Sequence, residues 1–211
     1  MQIIGLCLGM FETNCYIVSG AEGDKCLLID PAGDPARIIG AMSEKGLIPE
    51  AILLTHGHYD HILAVPALQE KWPDLPVYCH PADVPEEKIE RDMGMEFPTV
   101  AAFSNLKSFV DGDSLRLAGF VVEVLGTPGH TPGSVVLLIE GAMFTGDTLF
   151  RRDIGRTDFP GGDEKAMMAS LSRLAALPLK DAPVYAGHEG STTLAEERKY
   201  NPYMRFFQEK Q

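Results

Sequence analysis

The chain has 211 residues, a formal net charge of −12 at pH 7 and 45% hydrophobic residues, which suits one domain spanning 1–211 with a substantial core. The acidic balance opposes sequence-independent attraction to a phosphate backbone and disfavours nucleic acid as a partner. No apolar run approaches the ~20 residues that span a bilayer, and the N-terminus lacks a basic signal segment, so we expect a cytoplasmic location and no membrane partner.

Short apolar runs typical of β-strands recur along the chain. They lie at 2–8, 15–19, 26–29, 52–55, 77–79, 121–125, 135–139, 142–145 and 184–186. The neighbouring runs at 135–139 and 142–145 are spaced like a hairpin, and helix patterns lie between other runs. A mixed-sheet α/β fold therefore fits better than a purely parallel one.

Helix patterns separate several of these runs. We predict helices at 34–46, 61–71, 163–174 and from residue 194 onward. Asp34 and Asp163 are the expected N-caps of the first and third helices, and Pro35 suits the first turn of the first. Pro66 is an awkward interior residue of the second helix, because proline removes a backbone donor.

The stretch 81–109 is the least regular part of the chain, because Pro85, Gly94 and Pro98 interrupt it. We predict a loop here. It either covers a functional site as a lid or is a surface excursion with a helical turn or two.

The four cysteines are scattered, each in an apolar stretch and none in a Cys-x-x-Cys pair: Cys7, Cys15, Cys26 and Cys79. Free cysteine commonly behaves as a small buried apolar side chain. We therefore predict reduced core residues, with metal ligation or thiolate catalysis as the alternative.

The segment Thr-His-Gly-His-Tyr-Asp-His at 55–61 follows directly on the apolar run 51–54. Four ligand-type side chains therefore arrive together where a buried strand ends: His56, His58, Asp60 and His61. Three imidazoles and a carboxylate within six residues can surround a cation from one turn. This segment predicts a metal site.

Three further apolar runs each deliver one ligand-type residue directly after a glycine: His130, Asp147 and His188. Glycine permits a sharp turn that brings the next side chain back over the sheet edge. Functional sites of α/β sheets collect at strand ends, so we expect these residues to join the 55–61 segment. Five of the six histidines fall in these places, and His80, the sixth, is predicted to be a hydrogen-bonding loop residue.

His-x-His-x-Asp-His, Pro-Gly-His, Thr-Gly-Asp and Gly-His, in this order, resemble the metallo-β-lactamase superfamily over nearly the whole chain. The resemblance implies an αββα sandwich of two mixed β-sheets flanked by helices, with two divalent metal ions. It implies that the first ion is held by His56, His58 and His130, the second by Asp60, His61 and His188, and that Asp147 bridges the two. Zinc is the expected metal, with iron or manganese as alternatives.

In such a site two cations about 3.5–4 Å apart share a water whose pKa falls from 15.7 to roughly neutral. The resemblance implies that the resulting hydroxide attacks a carbonyl polarised by one metal. Asp60 has the second role of orienting the hydroxide. Asp60 and Asp147 are therefore the candidate catalytic carboxylates.

The segments 145–150 and 187–189, with Asn-Cys-Tyr at 14–16, resemble the hydroxyacylglutathione hydrolases (glyoxalase II), which cleave the thioester S-D-lactoylglutathione. The chain departs from that group in three places. It ends 23 residues after His188, where those enzymes continue into a helical glutathione-binding domain; Gly-Arg-Thr-Asp at 155–158 replaces their Gly-Lys-Phe-Tyr; and Gly190 replaces their tyrosine. It is thus similar to single-domain, glyoxalase-II-like bacterial proteins, which implies a small-molecule thioester substrate.

Arg156 keeps a positive charge where a substrate carboxylate would be bound, and arginine can bind a carboxylate through two parallel hydrogen bonds. We therefore predict that Arg156 contacts substrate. With Arg151 and Arg152 it forms either an anion-binding mouth or a solvated loop whose charges pair with neighbours such as Asp153.

The same fold and ligand residues are also compatible with other functions. Persulfide dioxygenases share Gly-Arg-Thr-Asp and use an overlapping ligand set for one iron, and a hydrolase of another ester or lactone would use the same centre. His61 disfavours a metallo-β-lactamase proper, which usually has another residue there. A phosphodiesterase would need more basic surface, and an inactive metal-binding module would lack a ligand, whereas this sequence has all seven.

Overall fold

The computed structural model describes residues 1–84, 91–92, 95–96 and 103–207. Its first half contains β1 (Gln2–Leu8), β2 (Thr13–Ser19), β3 (Lys25–Ile29), α1 (Pro35–Glu44), β4 (Ile48–Leu53), α2 (Tyr59–Ile62), α3 (Val65–Lys71), β5 (Val77–Cys79), β6 (Arg91–Asp92), β7 (Met95–Glu96) and β8 (Leu106–Ser108). Six of these strands form one sheet in the order β1-β2-β3-β4-β5-β8. Its first three strands pair antiparallel and its last four pair parallel, so the sheet is mixed.

The second half builds a second sheet. It contains β9 (Ser114–Leu117), β10 (Phe120–Gly126), β11 (Val135–Ile139), β12 (Ala142–Gly146), β13 (Leu149–Phe150), β14 (Asp153–Ile154), α4 (Glu164–Ala175), β15 (Pro183–Ala186), β16 (Thr192–Thr193) and α5 (Leu194–Tyr200). The order is β16-β15-β12-β11-β10-β9, in which β12 and β15 are parallel and the other pairs antiparallel. The predicted hairpin at 135–139 and 142–145 is confirmed.

Three apolar layers hold these elements together. In β2, Tyr16 and Val18 face the second sheet, where Phe144 and others meet them, while Cys15 and Ile17 face the helices. This alternation follows from the two-residue period of a strand. The outer face of the first sheet packs on α1 and α3, and that of the second on α4 and α5. The predicted αββα sandwich of two mixed sheets is confirmed.

The predicted start of α1 is confirmed: Asp34 is the N-cap residue, and its carbonyl oxygen accepts from the backbone N–H groups of Arg37 and Ile38. Its backbone is left-handed (φ 46°), and its side chain makes no capping hydrogen bond. The prediction of one helix over 61–71 is wrong. The chain forms α2 and α3 there, because Pro66 is accommodated in the first turn of a new helix, where no backbone donor is needed.

The remaining helix predictions are confirmed. Asp163 caps α4 by accepting a hydrogen bond of 2.9 Å from the backbone N–H of Ala166, and Thr193 caps α5. Part of the predicted loop 81–109 is strand, because β8 extends the first sheet beside β5. Residues 85–90, 93–94 and 97–102 of that loop, and with them the lid interpretation, lie outside the described residues.

Three of the four cysteines are buried and unpaired, as predicted: Cys15, Cys26 and Cys79. Burial raises the pKa of the Cys26 and Cys79 thiols to about 12, which keeps both protonated at neutral pH. Cys7 contradicts the prediction of a core residue. It is exposed because it lies on β1, the edge strand of the first sheet.

Among the described residues, none of the helices has the length and apolarity that crossing a bilayer requires.

Candidate metal centre

Four chain segments bring the seven predicted ligand residues to one edge of the sandwich. The loop between β4 and α2, with α2 itself, supplies the residues of the 55–61 segment. The loops after β10, β12 and β15 supply one residue each: His130, Asp147 and His188. The structure also shows why glycine precedes Asp147. A side chain on Gly146, whose φ is +48°, would collide with Thr55.

The first group consists of His56, His58 and His130. His58 Nδ1 lies 3.1 Å from His56 Nε2 and 2.8 Å from His130 Nε2. Burial, together with the neighbouring imidazoles, lowers the pKa of His58 to about 4 and that of His56 well below its usual range. Imidazoles that converge in this way can offer nitrogen lone pairs to a cation.

The second group consists of Asp60, His61 and His188. Asp60 Oδ2 lies 3.6 Å from His61 Nε2 and 3.4 Å from His188 Nε2. Burial opposes ionisation of Asp60, but the charge of His61 and hydrogen bonds from His188 and Thr13 outweigh it and lower the Asp60 pKa to about 2. Asp60 is therefore an ionised carboxylate facing two imidazole nitrogens.

Asp147 lies between the two groups. Its Oδ1 is 3.3 Å from His61 Nε2 in the second group, and its Oδ2 is 3.5 Å from both His130 Nε2 and His188 Nε2. Burial again opposes ionisation, but the charge of His61 and the neighbouring His188 imidazole hold the Asp147 pKa well below its usual range. One carboxylate thus faces both groups at once.

The donors fit divalent cations. Among the described residues, His61 Nε2 and Asp147 Oδ1 are fully buried without a hydrogen-bond partner, although they lie 3.3 Å apart. Buried polar atoms in proteins are normally satisfied, so this pair indicates a missing partner that both can bind. Imidazole nitrogen and carboxylate oxygen are donors that zinc, iron and manganese all accept.

The imidazole nitrogens that face away from the centre are also held. His61 Nδ1 lies 3.0 Å from Asp30 Oδ2, His130 Nδ1 lies 2.8 Å from the Arg156 carbonyl oxygen, and His188 Nδ1 lies 3.2 Å from the Phe11 carbonyl oxygen. Such partners fix the tautomer and the orientation of a ligating histidine. Metal-facing nitrogens are therefore defined for all three.

Sequence reasoning missed two residues of this supporting layer. Asp30 is buried and accepts hydrogen bonds from the backbone N–H and the hydroxyl of Thr55 at 2.8 and 2.6 Å, besides contacting His61. Its position directly after the apolar run 26–29 is the same strand-end signal that marked the ligands. Thr13, whose hydroxyl donates to Asp60 Oδ2 at 2.9 Å, carries no sequence signal.

Arg156 lies beside the centre, but its guanidinium is engaged. Nε and Nη2 donate to the carboxylate of Asp158 at 2.7 and 2.8 Å, and the group lies 3.7 Å above the ring of Phe159. The Phe159 ring contacts His58 edge-on, with 5.9 Å between centroids. The structure thus shows Arg156 paired with a charge of its own loop, as in the alternative to an anion-binding mouth. Arg152 is also near a carboxylate, since it lies 3.9 Å from Glu196.

His80 is a hydrogen-bonding loop residue, as predicted. Its Nδ1 accepts a hydrogen bond of 3.2 Å from the backbone N–H of Ala82 and caps the short 3-10 helix Pro81–Asp83.

Comparison with known proteins identifies relatives along nearly the whole chain. The family model of the metallo-beta-lactamase superfamily matches residues 8–188. The probable metallo-hydrolase YqgX of Bacillus subtilis is 37% identical, covering 95% of this chain and 96% of that protein. The hydroxyacylglutathione hydrolase GloC of Haemophilus influenzae is 36% identical, with 92% and 93% covered.

Solved structures with a similar fold also cover nearly the whole chain. The BLEG-1 B3 metallo-beta-lactamase superposes with a TM-score of 0.85 at 34% identity, covering 96% of this chain and 99% of that one. TTHA1623, crystallised in a di-iron-bound form, has a TM-score of 0.82 at 41% identity, with 95% and 99% covered. ETHE1 from Myxococcus xanthus has a TM-score of 0.78 at 29% identity, with 99% and 90% covered.

Proposed function

The chain belongs to the metallo-beta-lactamase superfamily of metal-dependent hydrolases, and we propose that it uses two divalent cations to hydrolyse a small-molecule thioester such as S-D-lactoylglutathione. The observation that carries the two-cation proposal is the Asp147 carboxylate, which faces both donor groups at 3.3–3.5 Å. The thioester is supported by the similarity to GloC, a hydroxyacylglutathione hydrolase, over more than nine-tenths of both chains.

We assign the donors as their geometry groups them. His56, His58 and His130 would hold one cation, Asp60, His61 and His188 would hold the other, and Asp147, which faces both groups, could contribute to each. When bound, two such cations lower the pKa of an attacking water and polarise the substrate carbonyl. Asp30 fixes the orientation of the His61 ring, and the Arg156 carbonyl oxygen fixes that of the His130 ring.

Asp60 orients the nucleophile in this proposal. The Thr13 hydroxyl fixes one of its oxygens, and its low pKa keeps the carboxylate ionised, so it can accept a hydrogen bond from the attacking water. The thiolate of a thioester leaves without needing a strong acid. The reaction therefore demands no further proton donor from the chain.

Three aromatic rings lie beside the ligands or next to them in the chain. Phe159 contacts His58 and Phe150 contacts His188, each with ring centroids 5.9 Å apart. Phe11 packs edge-on against Tyr59 at 5.5 Å, next to Asp60 in the chain. This apolar rim suits an acyl chain or a thiol stem of the substrate.

We expect the purified protein to contain two equivalents of metal and to hydrolyse S-D-lactoylglutathione, because the chain supplies both donor groups and their shared carboxylate. Elemental analysis and a spectrophotometric thioester assay measure the two quantities. Dialysis against a chelator should abolish turnover, and divalent metal should restore it. A chromogenic β-lactam is the comparison substrate, given the similarity to BLEG-1. Two equivalents of metal without thioester cleavage would refute the substrate proposal.

A persulfide dioxygenase is the second candidate, favoured by the likeness to ETHE1 over 99% of this chain. It would use one iron, with the His56, His58 and His130 group and Asp147 as the nearest matching donors. One equivalent of iron together with oxygen consumption on a glutathione persulfide would replace the hydrolase proposal. Metal count and substrate thus separate the two functions.

Arg156→Ala is expected to raise KM for a carboxylate-bearing thioester by about 10-fold while leaving a neutral thioester nearly unchanged, since a charge-assisted hydrogen bond contributes about 1.5–3 kcal/mol. The measurement is a steady-state comparison of the two substrates. The pairing of Arg156 with Asp158 must be exchanged for the substrate, which is why we expect the lower end of that range. Equal effects on both substrates would show that Arg156 holds the loop rather than the carboxylate.

A further inference from the structure

Asp83 is a buried carboxylate that the proposed reaction does not use, and it lies between the two loops that carry the first donor group. It ends the 3-10 helix after β5 and is 8% exposed. Its Oδ2 accepts hydrogen bonds from the backbone N–H of Gly57, at 3.3 Å, and from the Thr131 hydroxyl. Its Oδ1 accepts from the backbone N–H of Gly133 at 2.8 Å.

These hydrogen bonds reach the immediate neighbours of the ligands. Gly57 stands between His56 and His58, and Thr131 directly follows His130. One side chain therefore connects the loop after β4 with the loop between β10 and β11. The separation of His58 Nδ1 and His130 Nε2, 2.8 Å, depends on how these two loops are held together.

Both loops close tightly on Asp83. A side chain on Gly57 would collide with the Asp83 carbonyl oxygen, and a Cβ on Gly133 would lie 2.7 Å from the Asp83 carboxyl carbon and 2.8 Å from His80 Nδ1. These two positions are glycine because a side chain there would clash with Asp83, and no turn pattern in the sequence indicates this. The two loops are thus packed on Asp83 from both sides.

The charge of Asp83 also matters. Its three hydrogen bonds come from neutral donors, and the three imidazoles of the first group bring no negative charge of their own. A carboxylate whose hydrogen bonds come from the residues next to the ligands therefore adds attraction for a cation held by this group.

We propose that Asp83 is a positioning residue for the first donor group: it holds Gly57 and Thr131 so that His58 and His130 face one point, and it adds negative charge to the two loops that carry them. This inference rests on the proposed two-cation function. It differs from the role of Asp30, which contacts the ligand His61 directly.

Asp83→Asn tests the proposal with little change of shape. An amide cannot accept at both of its ends, so it leaves the Gly133 N–H or the Gly57 N–H without an acceptor, and it removes the charge. We expect the affinity of the first group for metal to fall by about 10- to 100-fold, as for other residues that support metal ligands. Titrating the metal-free protein with Co²⁺ and following its visible absorption should show one weakened binding step and one unchanged step.

Thr131→Val is the second variant, because it removes the hydroxyl that links Asp83 to the His130 loop and leaves the carboxylate in place. It should weaken the same step by a smaller factor. Asp113→Asn is the matched control, since the Asp113 carboxylate accepts a backbone hydrogen bond of 2.8 Å from Val110 in the turn before β9 and belongs to neither donor group. Circular dichroism shows whether each variant is folded.

The outcomes separate this inference from the proposed function. A wild-type protein that binds no Co²⁺ overturns both. A wild-type protein that binds two equivalents, with Asp83→Asn and Thr131→Val titrating identically to it, overturns the role of Asp83 alone. A selective loss of one step in the two variants, with Asp113→Asn unchanged, supports the role.

Discussion

Asp147→Ala is expected to abolish hydrolysis, with kcat/KM falling by at least about 10⁴-fold. The variant lacks the carboxylate that faces both donor groups, and the proposed reaction needs cations in both groups to activate the attacking water near neutral pH. The carboxylate faces donors of both groups at 3.3–3.5 Å, so its removal would take one ligand from each cation of the proposed centre. Metal content should fall with activity. The check is the thioester assay together with elemental analysis of the same preparation.

The control for this variant is Asp153→Ala. Asp153 is an exposed carboxylate six residues further along the chain, in β14, and its side chain accepts from the backbone N–H of Ile154 at 2.9 Å. Its loss removes the same charge from the protein without touching either donor group. Turnover of a metal-free Asp147→Ala protein at the wild-type rate would exclude a mechanism based on this centre.

The seven candidate ligands could be found in the sequence because each follows the end of an apolar run. A strand end is readable locally: an apolar run stops, a turn residue follows, and a histidine or aspartate stands where the sheet edge opens. The structure brings these residues together as the strand-end pattern predicts, with Asp147 between the two groups. The αββα sandwich is confirmed, and it rested on the resemblance in motif order rather than on the periodicity alone.

The supporting residues could not be found in the same way, because their roles depend on which strands are neighbours. Asp30 reaches His61 across 31 residues of sequence, and Asp83 reaches Thr131 across 48. Nothing within either segment specifies that β3 lies beside β4 or that the two sheets meet at this edge. Arg156 and Asp158 are only two residues apart, so their pairing could have been proposed from the sequence. Whether they pair depends on the side-chain rotamers, which no sequence pattern specifies.

Local rules also failed where two of them competed. The apolar spacing over 61–71 continues across Pro66, so periodicity favours one helix and proline chemistry favours a break; the break prevails and gives α2 and α3. Asp34 is the N-cap of α1 as its residue type predicts, but with a left-handed backbone its side chain makes no capping hydrogen bond. The error at Pro66 is at a boundary and leaves the layers of the fold unchanged.

Gly187→Ala is the second change from which we expect a large loss, although alanine adds one methyl group. Gly187 precedes His188 and is clamped from both sides: its N–H donates to the Gly146 carbonyl oxygen at 2.9 Å, and its carbonyl oxygen accepts from the Asn14 N–H at 2.7 Å. A Cβ here would lie 2.7 Å from His61 Cε1 and would collide with Asp147 Oδ1. The backbone cannot retreat without breaking those hydrogen bonds, so the two ligands must move.

We expect kcat/KM of Gly187→Ala to fall by about 100-fold, the cost of displacing catalytic groups by roughly an ångström. Overpacking should lower the free energy of unfolding by about 1–3 kcal/mol, which leaves the protein folded. Gly190→Ala is the matched control, because no atom of the residues that the structure describes lies within 4 Å of a Cβ at that position. Thermal unfolding, metal content and the thioester assay on the three proteins distinguish the cases. If Gly187→Ala loses stability but keeps wild-type metal content and turnover, the ligands tolerate displacement, and the packing around Asp147 is less restrictive than its contacts indicate.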